Sequence, residues 1–232
     1  MSGLQISIGP ELAGKVRLGV AVIAGVSVKG EDAALAAEID AAGAELRSRY
    51  AGVPSAEVPG AADARALYKA LGLDPTKTRP SNEALLRRVL KGEALYRVNT
   101  LVDALNLCAL RHQLPFGLYD LARVRPPVVL RKGRAGESYE GIRKGPVNVD
   151  GRPTLADEEG AFGNPTSDSA RTMITLQTTS ALVTCYAPAG YDVARLRKVL
   201  DGTEQALRRA CGGTLVELQV LPAAFSHRSS HA

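Results

Sequence analysis

Histidine, cysteine and tryptophan are scarce in this sequence, and their scarcity removes most familiar hydrolytic chemistries. There is no tryptophan, and of the three histidines His227 and His231 lie in a polar C-terminal tail. That leaves His112, beside Arg111 at the end of a helical pattern, where the helix dipole explains a cationic side chain better than catalysis does. The three cysteines, Cys108, Cys185 and Cys211, are odd in number and far apart, with no Cys-x-x-Cys and no Cys/His cluster. This argues against a disulfide framework or a zinc site and fits reduced thiols in a cytoplasmic protein. Cys108 falls within an apolar helical pattern and reads as a core residue, not a nucleophile. Gly-x-Ser-x-Gly, His-Glu-x-x-His and P-loop motifs are missing too, so neither a metal nor a cofactor is expected. No apolar run reaches the roughly 20 residues that a membrane span requires. The strongest, residues 16–28, alternates through Val16, Leu18, Val20 and Val22 and reads as a buried strand. No membrane partner is expected.

What is present suits one α/β domain. The chain has 232 residues, 45% of them hydrophobic and 23% charged, which is ample for a core and ordinary for a globular protein. Its net charge of +5 and pI near 9.2 permit a polyanionic partner. Helical periodicity covers residues 31–50, 61–71, 81–91 and 193–210, with Ser81 and Asp192 placed to cap the last two. Strands are expected near 128–131, 137–142, 146–149, 154–157, 171–178, 181–187 and 214–221, with Asp150-Gly151 as a hairpin turn. Residues 1–222 read as a single compact domain, a mixed β-sheet packed by helices around one buried central helix, and 223–232 as a disordered tail.

That central helix begins the stretch 98–120, VNTLVDALNLCALRHQLPFGLYD. Val98, Leu101, Val102, Leu105, Leu107, Cys108 and Leu110 make it apolar on nearly every side, as a buried helix is. Asn99, Asp103 and Asn106 follow at i, i+4 and i+7 and stack along one face. Buried amides and carboxylates are costly unless hydrogen-bonded, so this stripe either pins a neighbouring loop or lines a pocket. A second polar stretch, the loop 160–170, offers Gly163, Asn164, Thr166, Ser167 and Asp168. Lys77, Arg79, Arg87, Arg88 and Lys91 form the densest basic cluster, suited to phosphate contacts, with few aromatics nearby for base stacking.

The run VNTLVDALN followed by LPFGLYDL resembles the B3/B4 domain of the phenylalanyl-tRNA synthetase beta subunit, with its pattern Asn-x-x-Val-Asp-x-x-Asn and then Pro-x-x-x-aromatic-Asp. It is more similar still to free-standing B3/B4 proteins, which share an upstream stretch like RPSNEALLRRVLKG, here residues 79–92. The resemblance runs from about residue 61 to 187. It implies a tRNA-linked function, often hydrolysis of misacylated aminoacyl-tRNA, with tRNA as partner through its aminoacyl end.

Carried across, Asn106 matches the asparagine of the family's editing pocket. Leu105 stands where threonine is usual, and Gly117 where the pocket histidine falls, as in free-standing relatives. No glutamate lies in 172–177, where the family's reader of an aromatic hydroxyl belongs. On this reading Asn106 orients the ester or its attacking water, and backbone amides at Gly117 and Gly163 serve as oxyanion donors. Asn99, Asp103, Leu105, Asn164, Thr166, Ser167 and Asp168 line the substrate site, and the five cations meet RNA. The alternatives are a module that binds aminoacyl-tRNA or an amino acid without cleaving it, and a small-molecule enzyme reusing the pocket.

Overall fold

The alternating valines and leucines near the start of the chain sit at the centre of the fold. The computed structural model describes residues 3–222, so the expectation for the tail 223–232 lies outside the described residues. In chain order the elements are β1 (Ile6–Ile8), β2 (Val16–Ala24), α1 (Ala33–Arg49), α2 (Ala61–Ala70), α3 (Ser81–Leu90) and α4 (Thr100–His112). There follow β3 (Phe116–Asp120), β4 (Val128–Lys132), β5 (Ser138–Gly141), β6 (Lys144–Asn148), β7 (Pro153–Asp157) and β8 (Gly160–Gly163). The chain closes with β9 (Ser180–Pro188), α5 (Val193–Cys211) and β10 (Thr214–Leu221).

The expected mixed sheet is present, in the order β1-β4-β7-β8, with β1 parallel to β4 and the remaining pairs antiparallel. Beside it stands an antiparallel sheet in the order β10-β2-β9-β3, and β5 with β6 makes a separate hairpin. The antiparallel sheet is a middle layer. Because successive strand residues point to opposite faces, β2 sends Ala21 and Ile23 into one core and Leu18, Val20 and Val22 into another. The first core packs against α1, α3, α4 and α5. The second packs against α2 and the mixed sheet, through Leu130, Leu155 and Phe162. Burial on both faces explains why this strand is apolar almost without interruption.

α4 lies within the helical layer, and nine of its residues are buried, from Thr100 to Leu110. Its ends are locally encoded. The Asn99 side chain caps the first turn by accepting the Val102 N–H, and Gln113 ends the helix in the left-handed region at φ 54°.

Five local expectations give way. Ser81 is the first residue of α3 rather than its cap, which falls on Pro80 and carries no side-chain hydrogen bond. Asp150-Gly151 does not join paired strands, since β6 pairs with β5 while β7 pairs with β4 and β8. β3 falls where no strand is expected, and the first part of the glycine-rich loop is β8. Residues 171–178 form no strand. Their threonines take the hydrogen bonds that a ladder would have used. Thr178 Oγ1 donates to Asp120 Oδ2 at 2.9 Å and accepts the Thr175 N–H at 3.0 Å. Competition of this kind between hydroxyls and the backbone is the reason such residues favour turns.

Candidate functional site

α4, β3 and the irregular chain 164–177 enclose a cavity of about 1000 Å³. That is the upper end of the size usual for small-molecule sites. α4 turns Val102, Leu105, Asn106 and Ala109 toward it, at the i, i+3, i+4, i+7 spacing of one helix face. β3 contributes Phe116 and Leu118, and the tip of the β5–β6 hairpin contributes Ile142, Arg143 and Lys144.

The polar stripe of α4 is divided between two tasks. Asn99 touches the cavity, but its side chain is used at the helix start, accepting the Val102 N–H at 3.0 Å. Asp103 does not line the cavity. Its Oδ1 accepts the N–H of Val98, just before the helix, at 3.0 Å, so its donor comes from the preceding chain and not from the loop that follows. Burial raises the Asp103 carboxyl above its usual range, and the Val98 N–H and the Arg97 charge offset part of that. Asn106 remains for the cavity, with part of its surface open.

Gly117 and Gly163 are not lining residues. On β3, Gly117 and Tyr119 face away from the cavity, and Tyr119 is fully buried edge-on against Phe162, with ring centroids 4.9 Å apart. A Cβ on Gly117 would strike the Tyr119 hydroxyl and come within 2.8 Å of its Cζ and 2.7 Å of Thr184 Oγ1. A Cβ on Gly163 would meet the same ring, 2.7 Å from Cζ. Both positions are empty so that one tyrosine can pass, as glycine within a strand often signifies. Their amides are also turned elsewhere. Asp120 sends its N–H outward to Thr172 O at 2.8 Å, so Gly117, of opposite parity and paired with Thr184, directs its own into β9. Gly163 pairs with Leu155 of β7 and bridges to Asp168. Neither glycine offers an oxyanion donor to the cavity.

The loop residues do converge there. Asn164 is buried, and its Oδ1 accepts from the N–H groups of Thr166 and Ser167, each at 2.8 Å, while Nδ2 donates to Tyr139 Oη at 2.9 Å. It therefore fixes the loop as well as facing the cavity. Thr166 Oγ1 meets Tyr68 Oη at 2.9 Å, and Ser167 Oγ accepts from Lys144 Nζ at 2.7 Å. Asp168 is the only carboxylic acid among the lining residues. Its Oδ1 is closed to solvent and has no partner among the described residues. Burial pushes its pKa up to about 7, against the opposing influence of the Tyr119 hydroxyl, the Leu118 N–H and the Lys144 charge.

That shift has a testable sign. A carboxyl whose folded pKa lies above its unfolded value costs the fold stability as pH rises from about 4 through about 7. Asp168→Asn should therefore gain stability relative to wild type across that window. Thermal melts of both proteins at about pH 5 and about pH 8 measure it, and a gap that stays constant between the two would remove the assignment.

The basic cluster is split. Ser81 and Leu85 of α3 line the cavity, and Arg88 continues that face at i+3. Arg87 and Lys91 border a different groove, beside Tyr50 and Gly52. Arg79 lies 3.6 Å from the buried Glu83, and Lys77 is exposed on the loop before α3. His112 does not line the cavity and packs near Gly202 of α5, its pKa lowered by burial and by Arg111.

Sequence reasoning missed the rim. Six large hydrophobic residues are exposed among the described residues, and Tyr96, Val98, Ile142, Met173 and Leu176 all border this cavity, leaving only Val216 elsewhere. Scattered exposed apolar residues carry no meaning, but a contiguous set marks an interaction site. The available signal was an aromatic residue beside Arg97 in the link between α3 and α4, with no helical or strand periodicity to bury it. Among the described residues, no helix is long and apolar enough to cross a membrane, and no group of three or more His, Cys, Asp or Glu could hold a metal.

A sheet sandwiched between helices and a second sheet, with a single buried helix walling a large cavity, defines an α/β domain built around a binding pocket. The B3/4 domain model matches residues 63–221, and the chain belongs to that family. The match reaches through β10, further than the motif-bearing stretch alone. Among solved structures, an N-terminal fragment of the phenylalanyl-tRNA synthetase beta-subunit from Pyrococcus horikoshii is similar, with a TM-score of 0.50 and 12% identity. The alignment covers 95% of this chain and 55% of that one, so the chain spans about half the length of the solved fragment. At this identity the likeness is one of fold. No curated protein matches in sequence.

Proposed function

We propose that the cavity receives the aminoacyl end of a charged tRNA and that the protein hydrolyses the ester of mischarged tRNA. The observation that carries this reading is Asn106, the position matched by the resemblance to the family's pocket asparagine, facing a cavity lined by apolar side chains and by the polar residues Asn164, Thr166, Ser167 and Asp168. In the reaction a water oxygen attacks the ester carbonyl carbon, and the ribose oxygen leaves with a proton, giving free amino acid and tRNA. The Asn106 amide donates to the carbonyl oxygen as charge develops on it. Asp168 has a proton affinity matched to neutral pH, as a group that moves a proton requires. The ester is already activated and the neighbouring ribose hydroxyl assists, so no stronger base is needed.

A second reading is binding without cleavage. It is favoured by one specific finding, that the amides of Gly117 and Gly163 are turned away from the cavity. Incubation with a panel of mischarged tRNAs, following ester loss, separates the two readings. Loss accelerated by the wild type and not by Asn106→Ala supports hydrolysis. Tight binding that protects the ester would establish the second reading instead.

The cations contribute sequence-independent attraction. Reversing charge at Arg87 and Arg88 together is expected to weaken binding of all tRNAs alike. Each lost phosphate contact reduces the slope of log affinity against log salt by about 0.7–0.9. Titrations at several salt concentrations check this, and an unaltered slope would show that α3 does not face the RNA.

A further inference from the structure

We infer that Tyr96 and Arg88 form a stacking subsite for a nucleobase of the single-stranded RNA end, at the mouth of the cavity. The inference deepens the aminoacyl-tRNA reading and rests on it. Tyr96 is 68% exposed, the largest value among the exposed hydrophobic residues, yet its ring is held in place. The Arg88 guanidinium lies 4.1 Å from the ring centroid, and Nη1 donates to Tyr96 Oη at 3.0 Å. Arg88 is itself fixed, donating from Nε to Ala94 O at 2.9 Å and pairing with Glu93 Oε2 at 3.1 Å. A cation covers one face of the ring and the other is left for a flat partner.

An exposed tyrosine ordinarily costs nothing to leave mobile. Here a network of bonds orders it beside a pocket, which reduces the entropy lost when a base stacks on it. A nucleobase is favoured over an apolar peptide because the same mouth carries Arg143 and Lys144 opposite a single lining carboxyl, Asp168. An aromatic ring with flanking cations is the combination by which proteins hold single strands: the ring takes the base and the cations take the phosphates. The geometry also suits a terminal nucleoside, since an acyl group esterified to its ribose would enter the cavity beside it. The sparse aromatic content of the sequence argues against an extended platform, and one ordered ring at the pocket suffices for one base.

The test uses the full chain and two probes: a short single-stranded RNA ending in CCA, and the same RNA with an amino acid amide-linked at its 3′ end. Affinities are measured for wild type, Tyr96→Phe and Tyr96→Leu at several salt concentrations. Tyr96→Phe should bind the bare RNA nearly as wild type does. Tyr96→Leu, which keeps apolar bulk without a π-face, should bind about 5- to 100-fold more weakly, the range for one stacked base. Its salt slope should be unchanged, because stacking releases no counterions. Equal affinity for Tyr96→Leu and wild type overturns the subsite, as does failure of wild type to bind the bare RNA at all. The parent reading fails separately: if the linked amino acid adds no affinity to an RNA whose binding depends on Tyr96, the stacking subsite stands and the acyl pocket does not.

Discussion

Gly117→Ala is expected to destabilise the protein by about 1–3 kcal/mol, the usual cost of forcing a methyl group into a filled core. The added carbon would lie 2.8 Å from Tyr119 Cζ and 2.7 Å from Thr184 Oγ1, and Tyr119 is fully buried and cannot swing clear. Tyr119→Phe removes the atom in closest conflict, so the double variant should be more stable than the sum of the two single effects predicts. Denaturant melts of the four proteins give the coupling directly. Additive effects would mean that the tyrosine is not what keeps position 117 empty. The same geometry leaves no room for a larger side chain at position 117. The space such a side chain would enter is occupied by a tyrosine from the same strand.

The second large contrast separates Asp103 from Asn106, three residues apart on one helix. Asp103→Ala leaves the Val98 N–H without its acceptor and should cost roughly 1–3 kcal/mol. Asp103→Asn should be milder, because an amide oxygen still accepts that bond. Burial also disfavours the ionised form, so the stability this carboxyl contributes is greatest at low pH and declines as pH rises through its raised folded value. Asn106→Ala should leave the melting temperature close to wild type and lower deacylation by about 10²–10³-fold, the loss typical of removing one oxyanion donor. Melts and single-turnover deacylation on the same preparations decide between the roles. A stability loss at Asn106 with full activity, and the converse at Asp103, would reverse them.

Much of the architecture was legible because it is encoded locally. β2 carries its alternation, α5 begins at Asp192, whose side chain accepts the Arg195 N–H, and α4 is apolar all round with Asn99 at its start. What stayed hidden depends on partners distant in sequence. β3 is a five-residue strand whose register is set by β9, where Gly117 meets Thr184, and nothing near position 117 announces that pairing. The threonine-rich residues 171–178 alternate like a strand, yet Asp120 and their own hydroxyls claim the hydrogen bonds. Gly163 reads as a flexible loop residue, whereas its lack of a side chain serves a tyrosine more than forty positions earlier. The rim was invisible for the same reason: Tyr96, Ile142 and the pair Met173 and Leu176 come from three separate stretches of chain that meet only around the cavity.

The two sides of the cavity are built differently. One is a buried helix and a sheet edge, where Leu105 and Phe116 belong to the main core and alteration would disturb the whole fold. The other is irregular chain held by a few threonine hydroxyls, with Met173 and Leu176 turned outward. Substitutions at the exposed Met173 and Leu176 alter the cavity rim and leave the main core untouched, whereas Ile174 between them belongs to that core and Thr175 holds the loop. The rim of the cavity can therefore change its chemistry at positions 173 and 176 while the wall formed by α4 and β3 keeps its place in the fold.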